Sequence, residues 1–220
     1  MTFRFIKIDD ALRGEHHYLT PEDECYCLGE YQPRGGYGAG AVNDMLSNFK
    51  KPVTKRALPE YRYKERDILQ AGRFVRAALS PNAVTNFTYV PVPPSKAKSD
   101  PLYDDRLVRA LTSGQPVLDV RELIVMRQSI RAHHEYASGE KRPTPDELYD
   151  LLAIDPACLN PPPKGTVVIF DDLLTNGTHF KACQRILLET VPGTRIIGLF
   201  IGRRKLAPLA DVFSDLTGAD

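Results

Sequence analysis

One stretch, residues 166 to 188, constrains the fold of this chain more than any other. It opens with the apolar run V-V-I-F at residues 167–170, which is too short for an independent helix and is rich in β-forming residues. Such a run predicts a buried parallel strand. Between residues 180 and 188 apolar side chains recur at helical spacing, which predicts a helix. The stretch therefore predicts one β-α unit of an α/β sheet.

The residues between this strand and this helix are polar or small. Asp171 and Asp172 come first, at the carboxyl end of the strand, where ligands bind in open α/β sheets. The loop then continues through Thr175, Asn176, Gly177, Thr178 and His179. Backbone N–H groups and the positive dipole end at a helix start suit a phosphate, whereas carboxylates suit hydroxyl groups or a hydrated metal. Together they predict a site for a sugar phosphate; the alternative is an ordinary α/β turn.

This pattern resembles the phosphoribosyl-pyrophosphate (PRPP) signature of type I phosphoribosyltransferases. The positions that agree are Asp171, Asp172, Thr175, Gly177 and Thr178. Asn176 replaces the usual second Thr, and Asn can preserve a turn because it tolerates unusual backbone angles and bonds locally. His179 stands where Thr or Ser is common, so one hydroxyl contact to phosphate is missing from the pattern.

A second loop also suits an anion. Residues 87–92 predict a strand, and its exit carries Ser95, Lys96 and Lys98. The run V-P-V-P-P-S-K is similar to the P-V-P-x-S-K run of ComF-type members of the family. That resemblance implies that Ser95 and Lys96, with Lys98, bind pyrophosphate; the alternative is a solvated loop.

Residues 127–142 form a basic segment where the family carries a flexible loop that closes over the substrate. By this resemblance Arg127 and Arg131 are catalytic candidates that add positive charge against pyrophosphate, and Lys141 and Arg142 lie on the same segment. The neighbouring pair His133 and His134 suggests general bases, although adjacent histidines are more often plain surface residues.

The resemblance covers about residues 85 to 205, more than half of the chain. It implies an α/β fold with a five-stranded, mostly parallel twisted sheet flanked by helices. Residues 85–220 would form the PRPP-binding core, and residues 1–84 an N-terminal hood or appendage that selects the acceptor. The sequence does not indicate which molecule accepts the ribosyl group.

The resemblance also implies a function. The protein would bind PRPP with Mg²⁺ and transfer phosphoribose to a nitrogen acceptor, releasing pyrophosphate. Asp171 and Asp172 would hold the ribose hydroxyls and touch Mg²⁺ through water, and residues 175–179 would hold the 5′-phosphate. The rival hypothesis is a non-catalytic PRPP or nucleotide sensor that regulates a partner, because fold does not determine function.

Secondary structure is expected at several other places. Strands are predicted near residues 2–8, 123–126 and 195–201, and helices near residues 43–51, 64–79, 102–111, 144–152 and 206–216. The run of prolines and glycines at residues 33–40 predicts a loop. The sequence Y-D-D-R at residues 103–106 indicates helix capping and surface charge.

Composition excludes few functions. The net charge of +1 gives no global electrostatic footprint for nucleic acid, although a local basic patch remains open. No apolar stretch approaches a membrane span, and the first residues lack the apolar region of a signal peptide, so the expected location is cytoplasmic. Cys25 and Cys27 follow His16 and His17, which suggests a metal site; the alternative is a strand with both thiols on one side.

Overall fold

The computed structural model describes residues 4–131 and 143–206. Nine strands alternate with seven α-helices in this part of the chain. The strands are β1 (Ile6–Lys7), β2 (Glu24–Cys27), β3 (Glu30–Tyr31), β4 (Phe87–Pro91), β5 (Asp119–Val120), β6 (Ile124–Met126), β7 (Leu152–Ile154), β8 (Thr166–Leu174) and β9 (Arg195–Arg204). The helices are α1 (Asp10–Arg13), α2 (Ala41–Phe49), α3 (Tyr61–Ala78), α4 (Pro81–Asn86), α5 (Arg106–Thr112), α6 (Pro145–Tyr149) and α7 (Thr178–Thr190).

One mostly parallel sheet organises the fold. Its strand order is β1-β2-β9-β8-β4-β5, and β3 also pairs with β9. Among the described strands of this sheet, only β1 runs antiparallel to its neighbour. The expected α/β class with a mostly parallel sheet and flanking helices is therefore confirmed.

The expectation of five strands was wrong, because the described residues place seven strands in this sheet. Two of the added strands come from the N-terminal part, where β2 and β3 both pair with β9, and the third is β5, which pairs with β4. Cys25 lies opposite Gly198 in the register, and a Cβ on Gly198 would come within 2.7 Å of the Cys25 sulfur. The missing side chain thus lets β2 lie against β9. The division at residue 84 stays a prediction, although strands from both sides of it share one sheet.

The predicted strand at residues 123–126 exists but does not join the main sheet. As β6 it pairs antiparallel with β7 in a separate two-stranded sheet. β7 begins at Leu152, where the sequence predicted the end of a helix. That helix, α6, begins with a full capping box between Thr144 and Glu147 but ends at Tyr149.

The central strand, β8, is longer than its apolar run suggests. It lies between β4 and β9 and continues through Asp171 and Asp172 to Leu174, because the ten-residue β9 keeps pairing with it. The two carboxylates therefore belong to the strand itself and not to the loop after it.

The helices differ from expectation mainly at their ends. α2 and α3 match the predicted helices, whereas α5 begins at Arg106, four residues later than expected. Ser80 does not simply end α3: its hydroxyl accepts a hydrogen bond from the Ala83 amide and caps α4. The helix predicted at residues 206–216 lies almost entirely outside the described residues. Within the described ranges, no helix is both long enough and apolar enough to cross a membrane.

The contact between α3 and α5 depends on one glycine. A Cβ on Gly72 would overlap the backbone oxygen of Ala110 and approach the Ser113 hydroxyl oxygen within 2.8 Å. The two helices can pack at this distance only because residue 72 has no side chain.

We expect Gly72→Ala to lower the free energy of unfolding by about 1–3 kcal/mol, because the added methyl overpacks the helix contact. The measurement is urea denaturation followed by circular dichroism. Gly14→Ala is the matched control: Gly14 has a φ of −57° and nothing within 4 Å of its Cβ position. We expect the control to be neutral or slightly stabilising. Equal effects of the two substitutions would contradict the close helix contact.

Candidate functional site

Asp171 and Asp172 point away from each other. Both lie in β8 and are nearly buried, with 7% and 4% of their surfaces exposed. Successive residues of a strand alternate between the faces of the sheet, so the two carboxylates reach different partners. Asp171 Oδ2 lies 3.3 Å from His179 Nδ1 in α7, whereas Asp172 contacts cations at the other face.

Two cations hold Asp172. Lys50 Nζ lies 2.7 Å from Asp172 Oδ1, and Arg106 Nη2 donates to Oδ2 at 2.8 Å, with Nε of the same guanidinium at 3.2 Å. Burial alone would raise the pKa of Asp172. The charges of Lys50 and Arg106 outweigh that effect and hold its pKa well below the ordinary value.

These contacts extend into a charge network that consists of Lys50, Lys64, Asp104, Arg106 and Asp172. Asp104 Oδ2 accepts from Arg106 Nη1 at 3.1 Å and from Lys64 Nζ at 2.6 Å. Lys64 is completely buried in α3, and burial lowers its pKa although Asp104 opposes the shift. The network links α2, α3 and α5 to the central strand.

Sequence reasoning missed this network. The interpretation of Asp104 as surface charge was wrong, since its side chain is mostly buried and is paired with Lys64 and Arg106. A signal was present in α3, where Lys64 stands in the same helical stripe as the core residues Ile68, Ala71 and Val75. A lysine on a buried helix face requires a carboxylate partner.

The loop from Thr175 to His179 begins α7 with a left-handed turn. Gly177, the N-cap residue, has a φ of +91°, which favours glycine. The Asn176 side chain accepts from the Thr178 amide at 3.2 Å and from the Thr178 hydroxyl at 2.9 Å. Local bonding by Asn176 is therefore confirmed. The Thr178 hydroxyl is engaged inside the loop, and Thr178 is only 2% exposed.

The N-terminal segment forms hydrogen bonds with this loop. His16 Nδ1 donates to the Thr175 carbonyl, and the Tyr18 amide donates to the Asn176 carbonyl at 2.8 Å. His16 is buried, and its Nε2 has no hydrogen-bond partner among the described residues. These loop contacts were also missed, because they join residues about 160 positions apart in the chain.

One pocket gathers the predicted phosphate residues. Its lining includes Asp171 and the whole 175–179 loop, with apolar walls from Leu173, Leu174, Phe180 and Phe200. The pocket lies at the N-terminus of α7, a helix of 13 residues, where the backbone dipole is positive. The cavity is small, about 20 Å³, which is room for about one water molecule, so an anionic group is favoured at the helix start beside it.

The second predicted loop leaves the sheet beside this pocket. The Val92 amide donates to the Phe170 carbonyl at 2.9 Å, so the chain after β4 departs next to Asp171. Lys96 Nζ donates to the Ile130 carbonyl at 3.1 Å, and the Ile130 amide donates to the Ser95 carbonyl at 2.8 Å. Lys98 is about half exposed, with Nζ 3.4 Å from Glu122 Oε1.

The basic segment is only partly described. Arg127 Nε donates to the Leu152 carbonyl at 2.7 Å, so the structure uses this side chain to join β6 and β7. Arg131 is exposed and is the last residue before the gap in the description. The remaining candidates, His133, His134, Lys141 and Arg142, lie outside the described residues.

The two N-terminal cysteines face the interior. Cys25 and Cys27 are fully buried on the same side of β2, as the strand alternative predicted. Burial raises the pKa of both thiols, that of Cys27 to about 11. Among residues 4–131 and 143–206, no group of three or more His, Cys, Asp or Glu side chains could hold a metal ion.

A scan of protein-family models finds no match for this chain, and searches of curated proteins and of solved structures find none either.

We expect Arg106→Leu to lower the free energy of unfolding by about 3–5 kcal/mol, because it removes one of the two cations from a buried carboxylate. The measurement is chemical denaturation at neutral pH. Arg109→Leu is the control on the same helix: its partner Glu65 is partly exposed, and we expect a loss of about 1 kcal/mol or less. If the two variants lose the same stability, the charge network is not a stabilising feature.

We expect stability to depend on pH through His16. Burial lowers the pKa of His16, although its hydrogen bond to Thr175 opposes the shift, and nearby Arg203 lowers it further. The unfolded chain then binds the proton more readily, so His16 reduces the free energy of unfolding as pH falls below about 6.5. His16→Asn keeps a donor for the Thr175 carbonyl without this titration. Denaturation at several pH values should show a smaller loss between neutral and acidic pH for the variant; equal losses would contradict the assignment.

Proposed function

We propose that this protein binds PRPP with Mg²⁺ and transfers its phosphoribosyl group to a nitrogen acceptor. One observation carries the proposal: Asp171 and the 175–179 loop line a single pocket at the N-terminus of α7, beside the carboxyl end of a parallel strand. A carboxylate and an anion-binding helix start match the hydroxyls and the 5′-phosphate of a ribose phosphate.

The free hydrogen-bonding capacity of the two carboxylates supports different tasks for them. Asp172 already accepts three hydrogen bonds from Lys50 and Arg106, and an ionised carboxylate offers about four acceptor positions. Asp171 accepts one from the Asp172 amide at 2.7 Å and lies near His179. Ribose hydroxyls would therefore bind mainly to Asp171, and Asp172 would fix the strand and its surroundings.

The pyrophosphate of PRPP would lie toward the loop after β4. Ser95 and Lys96 stand there, and the exposed Lys98 is two residues further on. Arg131 follows Ile130, whose amide donates to the Ser95 carbonyl at 2.8 Å. The bond from C1 to the pyrophosphate oxygen breaks as the bond to the acceptor nitrogen forms. The protein's contribution would be positioning of the two reactants and stabilisation of the charge that leaves with pyrophosphate.

Magnesium would be carried by the substrate and not by a protein cage. A divalent ion on PRPP neutralises the pyrophosphate charge, and hard cations take oxygen ligands and keep several waters. The remaining lone pairs of Asp171 could accept hydrogen bonds from the waters of such a hydrated ion. Asp172 would do so to a lesser extent, because Lys50 and Arg106 already bind it.

A second candidate function is a sensor that binds PRPP or a nucleotide without transferring it. Two features favour it: Asp172 is already occupied by cations, and the Thr178 hydroxyl is engaged by Asn176. Both groups would otherwise be free to contact a reacting substrate.

We expect PRPP with Mg²⁺ to bind in a calorimetric titration and Asp171→Asn to weaken binding at least about tenfold, because hydrogen bonds to charged groups contribute about 1.5–3 kcal/mol. Asp10→Asn is the control, since that side chain is 90% exposed on α1. Lys96→Ala should weaken pyrophosphate binding, and Lys7→Ala, an exposed lysine on β1, should not. Unchanged PRPP affinity in Asp171→Asn would contradict the ribose assignment.

A pyrophosphate-release assay separates the two functions. Release that depends on one member of a panel of bases, amines and nucleotides would establish transfer and identify the acceptor class. PRPP binding without release for every member would favour the sensor.

A further inference from the structure

Positive charge is concentrated in one short segment. Residues 50–66 contain seven Lys and Arg side chains and two Glu, although the whole chain has a net charge of only +1. The rest of the chain is therefore net acidic. Lys50 and Lys64 belong to the charge network, which leaves five basic side chains in this segment outside it: Lys51, Lys55, Arg56, Arg62 and Arg66.

Most of these five side chains face solvent. Lys55 and Arg56 lie in the exposed turn before α3, and Arg62 and Arg66 are exposed on the first turns of α3. Arg62 and Arg66 are four residues apart, so they point the same way about 6 Å apart along the helix axis. Of the acids nearby, Glu65 pairs with Arg109 outside this segment, whereas Asp67 pairs with Arg66 and offsets part of its charge. Glu60 is the other acid of the segment, so its net charge is +5.

Aromatic side chains lie among the cations. The ring centre of Tyr63 is 5.2 Å from Lys51 Nζ, and the guanidinium carbons of Arg62 and Arg66 are 5.0 and 5.3 Å from it. Tyr63 is 36% exposed. Tyr37 is 73% exposed and lies near enough to Arg66 to influence the pKa of that guanidinium.

We propose that this basic–aromatic surface, formed by Tyr37, Lys51, Lys55, Arg56, Arg62, Tyr63 and Arg66, binds single-stranded nucleic acid. Cations interleaved with exposed tyrosines match a strand in which phosphates alternate with unpaired bases, because the phosphates bind the cations and the bases stack on the rings. An acidic protein or an anionic membrane would use the charges alone. The tyrosines favour the nucleic acid, and the inference stands independently of the PRPP proposal.

The surface begins next to the candidate site. Lys51 follows Lys50, whose ammonium is bound to Asp172, and the Lys51 carbonyl accepts from Lys64 Nζ at 2.7 Å. An oligonucleotide bound to this surface would therefore lie next to the charge network at one end.

The experiment is fluorescence anisotropy with labelled single-stranded oligonucleotides of about 16 nucleotides, one RNA and one DNA, titrated at several salt concentrations. We expect the triple variant Lys51→Gln, Arg62→Gln, Arg66→Gln to bind at least about tenfold more weakly than the unchanged protein. Its plot of log affinity against log salt should be less steep by about 2, since each phosphate contact on a single strand contributes about 0.7 to the slope.

The control has the same loss of charge elsewhere. Arg4→Gln, Lys7→Gln and Arg204→Gln remove three exposed basic side chains, one before β1, one in β1 and one at the end of β9. We expect affinity to stay within about twofold of the unchanged protein. Tyr63→Leu keeps the bulk of the side chain without its ring, and we expect about tenfold weaker binding.

Three results would overturn the proposal. The first is no saturable binding of either oligonucleotide at low salt. The second is an equal loss of affinity in the control triple variant, which would mean that net charge alone acts. The third is equally tight binding of heparin or of anionic phosphatidylserine vesicles together with no effect of Tyr63→Leu, which would assign the surface to acidic polymers or membranes.

Discussion

The ion pairs of Asp172 are the constraint on which the surrounding structure depends. A carboxylate in the central strand that is almost sealed from water remains ionised only if cations stay beside it. Lys50 directly follows α2, and Arg106 begins α5. Asp104 pairs with both Arg106 and Lys64, so it connects these ion pairs to α3. Three helices are thereby held in place by one charge, and a burial that would otherwise be unfavourable helps to specify their arrangement.

The adjacent carboxylate shows how one Asp-Asp pair serves two purposes. Because the pair lies within β8 and not after it, strand alternation sends Asp171 to the pocket at α7 and Asp172 to the charge network. The pair therefore does not behave as two equivalent ligands for a ribose. If transfer occurs, the reacting sugar meets one carboxylate with free lone pairs and one that is largely committed to structure.

The sequence predicted those features that local pattern decides. Three features were confirmed: the apolar run before Asp171, the loop ending at Gly177 and the periodicity of α3. Each of these patterns is formed by residues that are close to one another in the sequence. The strand count failed because β2 and β3 are short and join the sheet only through β9, nearly the whole chain length away. The partners of Asp172 were not predicted for the same reason, because Arg106 lies 66 residues from it in the chain.

The N-terminal segment is part of the candidate site as well as of the sheet. His16 and the Tyr18 amide bond the carbonyls of Thr175 and Asn176, so the N-terminal segment fixes two backbone groups of the loop. Lys50 then reaches Asp172 from the same part of the chain. An anion pocket depends on loop groups held in place before the ligand arrives. Here the residues that hold them come from the part of the sequence in which no motif was legible, so the motif alone describes only half of the site.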